Sequence, residues 1–302
     1  MTHTPRVLTE PHLVRAIAKA YRGKGRPVVV VPVWSQWHAG HAAVLDAARR
    51  VTGGVVVVAH DGEVPPDLSA DFVVPLAAAP QQRLVPSPEL LAQRLATRGE
   101  DALLARLFAT AAQVSATDMF LGDKDYPLLV ALQGCLRGFG LETRVHTVPT
   151  VRMPDGVAVS NRNAGLSPAG RDAAVVVAAI MTAAHSVAER GPAAVKDTVH
   201  GLLADNGLEA LYVDVTAPDY SPIPGHGPEG PEGREGTDGE APQEGRLSVG
   251  LIDPASGTLI SDTVALQFVA ASSPAGELAP GITVEDVKAH TGCDIKVAPG
   301  VA

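Results

Sequence analysis

Two histidines spaced H-x-G-H, His38 and His41, fall where the valine run "VVVVPV" gives way to the helical pattern "HAAVLDAARR". A helix that starts directly after a strand offers free backbone N–H groups and the positive end of its dipole, both suited to a phosphate. Two imidazoles at i and i+3, with Gly40 between them, can converge on an anion approaching that helix start. They could donate hydrogen bonds to phosphate oxygens and stabilise charge as a pentacovalent phosphorus forms. Two more segments hold residues of the same kind. "MFLGDKDYPLLVAL" ends a strand pattern at Gly122 and places Lys124 and Asp125 just beyond it. "VPTVRMPDGVAVSNRNAGLS" has a polar S-N-R-N loop, Ser160, Asn161, Arg162 and Asn163. A hydroxyl, an amide and a guanidinium in one loop can clamp phosphates. Taken singly, each segment also fits a solvated surface pair, a helix start or a turn; what joins them is a common position in strand-end loops.

The elements that must position these residues follow from periodicity. Strand patterns fall at 28–33, 54–59, 118–121 and 142–148, and apolar residues recur at helical spacing over 40–50, 88–115 and 126–138. Continuous apolar runs such as "PVVVVPV" and "GGVVVVA" suit strands covered on both faces. Strand–helix alternation predicts an α/β fold with a doubly wound parallel sheet, whose functional edge is the set of loops after the strand C-termini. From 167 the pattern changes. Ser167-Pro168 opens a long helix as N-cap and first-turn proline, a second helix covers about 191–205, and strands follow at 209–215 and 246–252. The expected layout is a Rossmann-like unit over 1–160, a smaller α+β unit over 161–270 and an appendage over 271–302, with one short helix near 284–290.

Residues 217–245 are rich in Pro, Gly and Glu, and the expectation is a disordered insert with almost nothing to bury. Their G-x-G-x-x-G at Gly225, Gly227 and Gly230 lacks the flanking strand and helix of a dinucleotide site and is set aside. A net charge of −9 over 302 residues argues against nucleic-acid or anionic-membrane partners driven by bulk charge. Two cysteines, Cys135 and Cys293, form no metal or disulfide pattern, which fits a cytoplasmic protein. The N-terminus shows no signal-peptide pattern, and no apolar run is expected to reach the roughly 20 residues of a membrane span.

The three polar segments, in order, resemble those of the pantothenate synthetase (pantoate–β-alanine ligase) family. That family runs P-T-M-G-A-L-H-x-G-H, G-E-K-D-Y-Q-Q and P-T-V-R-E-x-D-G-L-A-x-S-S-R-N. Here the segments read "PVWSQWHAGH", "GDKDYPL" and "PTVRMPDGVAVSNRN", and the likeness extends over about residues 5–270. It implies a two-step ligation in which a carboxylate attacks the α-phosphorus of Mg²⁺-bound ATP and an amine then displaces AMP. By position, His38, Gly40 and His41 belong to the phosphate signature, which Pro32 opens. Lys124 matches a phosphate lysine, Gly122 and Asp125 match ribose-holding positions, and Val151 falls where backbone meets adenine. Ser160 and Arg162 match the phosphate loop, with Asn161 replacing its second serine. His38, His41, Lys124 and Arg162 are the implied catalytic set, and a homodimer taking a small acid and an amine is implied with them. The residues themselves assign no protein ligand to a metal.

The acid side departs from the family. Val33-Trp34 replaces T-M, Leu128 replaces a pantoate-holding glutamine, and no F-V-N-P-x-Q-F segment follows the second strand. The amine-side R-P-x-H-F-x-G-V is represented only by "LATRGEDALL", where Arg98 is the candidate substitute. Trp34, Leu128 and Arg98 are therefore the expected substrate-side residues. A paralogue activating a different acid is expected, against three alternatives: an ordinary pantothenate synthetase, a nucleotidyltransferase that forms no amide, and a non-catalytic binding protein. The tail "LAPGITVEDVKAHTGCDIKV" weakly resembles the end of CoA-transferase β subunits, lacks their catalytic context and is assigned no activity.

Overall fold

The computed structural model describes residues 4–62, 65, 68–223 and 243–268. Six parallel strands form one sheet: β1 (Arg6–Val7), β2 (Val28–Val33), β3 (Val55–His60), β4 (Phe72–Pro75), β5 (Asp118–Gly122) and β6 (Arg144–Val148), in the order β1-β4-β3-β2-β5-β6. β2 and β3 are buried throughout. Their alternate side chains enter two different cores, because successive residues of a strand point to opposite faces. Val28 and Val30 face the core beneath α1 (Pro11–Arg22), α4 (Asp101–Val114) and α5 (Tyr126–Gly138). Val29, Val31 and Val33 face α2 (Ala39–Ala48). Coverage on both faces is why the valine runs show no polar alternation.

From β2 the chain builds outward through β3 to β4, then crosses back to lay β5 and β6 on the other side. The switch point of this doubly wound sheet thus lies between the C-terminal ends of β2 and β5, the usual crevice for a ligand. Helical periodicity over 88–115 does not give one helix. α3 (Glu89–Arg98) stops at Gly99, whose φ of 66° is the left-handed conformation a glycine adopts without strain, and α4 restarts two residues later. That break turns Arg98 and Glu100 towards the crevice instead of along a helix face.

After α6 (Asn161–Ala164), helices α7 (Pro168–Val187) and α8 (Pro192–Asp205) cover an antiparallel sheet of β7 (Tyr212–Thr216), β8 (Gln243–Ile252) and β9 (Leu259–Phe268). This unit has its own core, with Val177, Ile180, Val195, Leu247, Val249, Leu266 and Phe268 all nearly inaccessible. Gly250 has to be small here. A Cβ on it would lie 2.2 Å from the ring of Tyr212, which crosses over the glycine.

Several sequence expectations change. β1, β4 and α1 add to the predicted alternation. Among the described residues one helical segment does reach membrane-spanning length: Pro168–Arg190, 23 residues, with an 18-residue window of mean hydropathy 1.3. It comprises helix α7, whose Ala174, Val177, Ile180 and Met181 pack into the small unit, and the 3₁₀ turn Ala188–Arg190. The insert is also shorter than its composition suggests, since Tyr220 and Ile223 are buried and β8 already begins at Gln243. Tyr220 Oη lies 3.0 Å from Ser248 Oγ. The rest of that insert, with Gly225, Gly227 and Gly230, and the appendage with its expected helix near 284–290 lie outside the described residues.

Candidate active site

A cavity of about 460 Å³ opens at the switch point. Of the residues singled out from the sequence, Pro32, Trp34, His38, Gly40, His41, Arg98, Gly122, Lys124, Asp125, Val151, Ser160, Asn161 and Arg162 all line it. Leu128 does not. It is fully buried in the core beneath α5, among Leu129, Leu132 and Leu136, so its side chain serves packing and is not a substrate contact.

His38 is the N-cap of α2. Its Nδ1 accepts the Gly40 N–H at 3.0 Å, in the way a capping Ser or Asp oxygen would. An accepting Nδ1 on a neutral ring puts the proton on Nε2, so Nε2–H is a donor. Gly40 is constrained in turn: a Cβ there would come within 2.8 Å of His38 Cε1. The two imidazoles stack with centroids 3.9 Å apart and planes 20° from parallel. Burial, then the His38 neighbour, lower the His41 pKa to about 4. His38 is lowered as well, chiefly by burial. Both rings are therefore neutral donor–acceptor groups near pH 7. The tryptophans separate across the sheet. Trp34 packs towards the α1/α4/α5 core and lines the cavity, whereas Trp37 packs on the α2 side, 5.7 Å from the His41 ring.

At the end of β5 one turn of 3₁₀ helix, Asp123–Asp125, carries Lys124 and Asp125. Lys124 is buried, and loss of hydration followed by the Arg162 charge pulls its pKa from 10.5 to about 8. Burial pushes the Asp125 carboxyl up, but Arg162, Arg98 and Lys124 outweigh it and hold it below the ordinary carboxylate range. Gly122 has nothing within 4 Å of where a Cβ would stand, so a side chain there would project into open cavity.

The third segment follows β6 and supplies Thr150, Val151, Ser160, Asn161 and Arg162 to the cavity wall. Ser160 caps α6 by accepting the Arg162 N–H at 3.2 Å, and its own O–H remains able to donate. Asn161 spends its amide on the Gln36 carbonyl at 2.7 Å, which ties this loop to the histidine turn. The Val151 carbonyl accepts the Val159 N–H at 2.8 Å. Three buried polar atoms on the cavity wall have no hydrogen-bond partner among the described residues: His41 Nδ1, Thr150 Oγ1 and Arg162 Nη1. Such atoms are costly unless a ligand or water meets them.

Arg98 does not have the role expected of it. All five of its N–H groups are engaged within the protein. Nε and Nη2 donate to Glu100 at 2.8 and 2.9 Å, Nη2 also to Asp125 at 3.0 Å, and Nη1 to Tyr212 Oη at 3.2 Å and Ser261 Oγ at 3.0 Å. A guanidinium has five donors, so none is left for a substrate. Sequence reasoning missed several cavity residues, among them Glu100, Arg106, Phe120 and Thr150. Glu100 lies two residues from Arg98 in the same polar segment; the others carry no local signal.

A doubly wound parallel sheet with a capped helix start, a buried lysine and a guanidinium at its switch point defines a Rossmann-like, nucleotide-binding type of enzyme. Comparison with known proteins narrows this. Residues 98–225 match the family model described as pantoate-beta-alanine ligase. The pantothenate synthetase of Corynebacterium jeikeium (strain K411) is 31% identical over 261 residues, covering 75% of this chain and 85% of that protein. That of Mycobacterium avium (strain 104) is 31% identical, covering 72% and 81%. In fold, the chain is similar to the crystal structure of pantothenate synthetase from Thermus thermophilus, with a TM-score of 0.64 at 23% identity over 86% of this chain and 98% of that one. A Francisella tularensis pantoate-beta-alanine ligase, complexed with beta-gamma ATP and beta-alanine, gives a TM-score of 0.58 at 14% identity, covering 86% and 97%. The chain belongs to the pantoate–β-alanine ligase family, whose members are ATP-dependent ligases that form an AMP intermediate.

Proposed function

We propose that this family member adenylates a carboxylic acid other than pantoate and transfers the acyl group to an amine. The observation that carries this is the contrast between two sets of groups on one cavity wall. One set is polar and ready for phosphate: His38 Nε2–H, His41, Lys124, Ser160 and Arg162. The other is apolar: Trp34, Val44, Leu103, Phe120 and Pro149. At the position of the family's pantoate-holding glutamine stands Leu128, buried in the core, and the Asn161 amide on the cavity wall is spent on the Gln36 carbonyl. A site built to bind a hydroxy acid through hydrogen bonds loses roughly 10⁴–10⁵ in discrimination when those partners vanish. Trp34 supplies a flat apolar surface instead.

In the first step a carboxylate oxygen attacks the α-phosphorus, a new O–P bond forms, and the bond to pyrophosphate breaks with its electron pair leaving on pyrophosphate. His38 Nε2–H and Lys124 are suited to neutralise charge growing on the phosphoryl oxygens, and Arg162 to hold the departing phosphates. In the second step the amine nitrogen bonds to the acyl carbon, AMP leaves with the electron pair of the acyl–oxygen bond, and the amine gives up a proton. Mg²⁺ would enter on the phosphates. Mg²⁺ in such sites is ordinarily held by phosphate oxygens and water with one or two carboxylates. Of the two carboxylates on the cavity wall, Glu100 has both oxygens bonded to Arg98 and Arg162, so Asp125 is the one that would face such an ion.

Product analysis tests the reading. The purified chain is incubated with Mg-ATP, an amine mixture and, separately, hydroxy, keto, amino and aromatic acids, pantoate with β-alanine included. AMP and an amide from an acid other than pantoate are expected. Pantothenate formed at ordinary enzyme rates would overturn the altered specificity, and a nucleotidylated acid or alcohol without amide would overturn the ligase.

A further inference from the structure

Arg162 stands on α6, a four-residue helix in a connecting loop, where a long side chain would ordinarily swing freely. Here its Nη2 donates to Glu100 Oε1 at 2.6 Å. Its Nη1 lies 3.8 Å from Asp125 Oδ1 and is buried without a hydrogen-bond partner among the described residues. Glu100 can hold the guanidinium because it is itself fixed. It follows the Gly99 break between α3 and α4, is 2% exposed, and takes an Arg98 N–H on each carboxylate oxygen at 2.8 and 2.9 Å. Arg98 is anchored in turn on Tyr212 and Ser261 of the small sheet and on Asp125.

We propose that Glu100 is a positioning residue for nucleotide binding: it holds Nη2 of Arg162 so that Nη1 is presented to the phosphates. The local charges suit this. Arg98, Arg162 and Lys124 oppose Glu100 and Asp125, so the group keeps one net positive charge for an anionic ligand. A glutamine at 100 would preserve shape but set an amide N–H₂ against two guanidinium groups, releasing Arg162. Ordering of a rotamer-rich side chain would then fall on the binding step itself. The inference rests on the cavity being the ATP site.

The test is a double-mutant cycle over Glu100→Gln, Arg162→Ala and the pair, read by titrating Mg-ATP against the fluorescence of Trp34 and Trp37, the only tryptophans of the chain. Glu100→Gln is expected to weaken binding roughly tenfold alone and less than twofold in the Arg162→Ala background, the non-additivity of two residues acting as one unit. A merely structural role would weaken binding equally in both backgrounds. Equal losses, or a folded Glu100→Gln protein within twofold of wild type, overturn the proposal. Should Glu100→Gln fail to fold, Glu100→Asp keeps the charge but shortens the reach, and the same non-additivity is expected of it. Wild-type protein that binds no Mg-ATP removes the cavity reading and this inference together. Wild-type binding without coupling between Glu100 and Arg162 removes the inference alone.

Discussion

Lys124 titrates in a pH range where the neighbouring histidines do not, and this makes it separately measurable. Loss of hydration, then the positive charge of Arg162, bring its pKa from 10.5 to about 8. Phosphate at the cavity would favour the ammonium form again, so nucleotide binding and protonation of Lys124 are linked. With a pKa of about 8, the free protein is about nine-tenths protonated at pH 7, half at pH 8 and about one-tenth at pH 9. If only the ammonium form binds phosphate well, ATP affinity falls about tenfold from pH 7 to 9, or about 1.4 kcal/mol. Binding at pH 8 takes up about half a proton. Titration calorimetry in buffers of different ionisation enthalpy reads both quantities. Lys124→Arg keeps its charge throughout this range and should flatten the dependence while also correcting for titration of ATP itself. The same linkage bears on folding. The unfolded chain binds the proton more tightly, so the burial penalty of Lys124 is fully present below pH 8 and is relieved as pH rises towards 10.5. A wild-type pH profile identical to that of Lys124→Arg, with no proton uptake at pH 8, would refute the placement of this lysine against phosphate.

Other expectations follow from the histidine turn. His41→Ala should lower the adenylation rate about 10²–10³-fold, the usual cost of removing one transition-state donor, with a smaller change in KM for ATP, as steady-state kinetics would read. Gly40→Ala places a Cβ 2.8 Å from His38 Cε1, so the imidazole must leave its capping position. ATP affinity and thermal stability should both fall, stability by about 1 kcal/mol for the lost cap. His41 is held at about 4, by burial first and then by His38, against 6.5 in the unfolded chain. Its contribution to stability is therefore complete above pH 6.5 and is lost as pH falls towards 4, by at most about 3 kcal/mol and less because the ring is partly exposed. Melting curves of wild type and His41→Gln should converge over that range; parallel curves would contradict it.

Much of the site was legible in the sequence because its donors sit in short motifs at strand ends. His38 and Gly40 act on each other two residues apart, and Ser160 caps the helix that carries Arg162, so spacing alone brings them together. What could not be read depends on residues distant in sequence. Arg98 looked free for a substrate until Tyr212 and Ser261, more than a hundred residues later, took its remaining donors. Leu128 occupies a glutamine's place in the motif, yet an apolar side chain at the start of α5 turns into the core. Glu100 became visible only once Gly99 had broken the helix. Tyr220, inside a stretch with little else to bury, packs because Ser248 offers its hydroxyl a partner. Continuous periodicity likewise could not show the break at 99 or the four-residue β4, whose pairing with β3 is set by the sheet and not by its own length.

Adenylation ahead of amide formation has one direct signature, the return of labelled pyrophosphate into ATP in the presence of acid and in the absence of amine. Exchange should depend wholly on a carboxylic acid, be fastest with an acid other than pantoate, and fall with His41→Ala. No exchange with any acid across the hydroxy, keto, amino and aromatic classes, or exchange fastest with pantoate, would contradict an adenylating site of altered specificity.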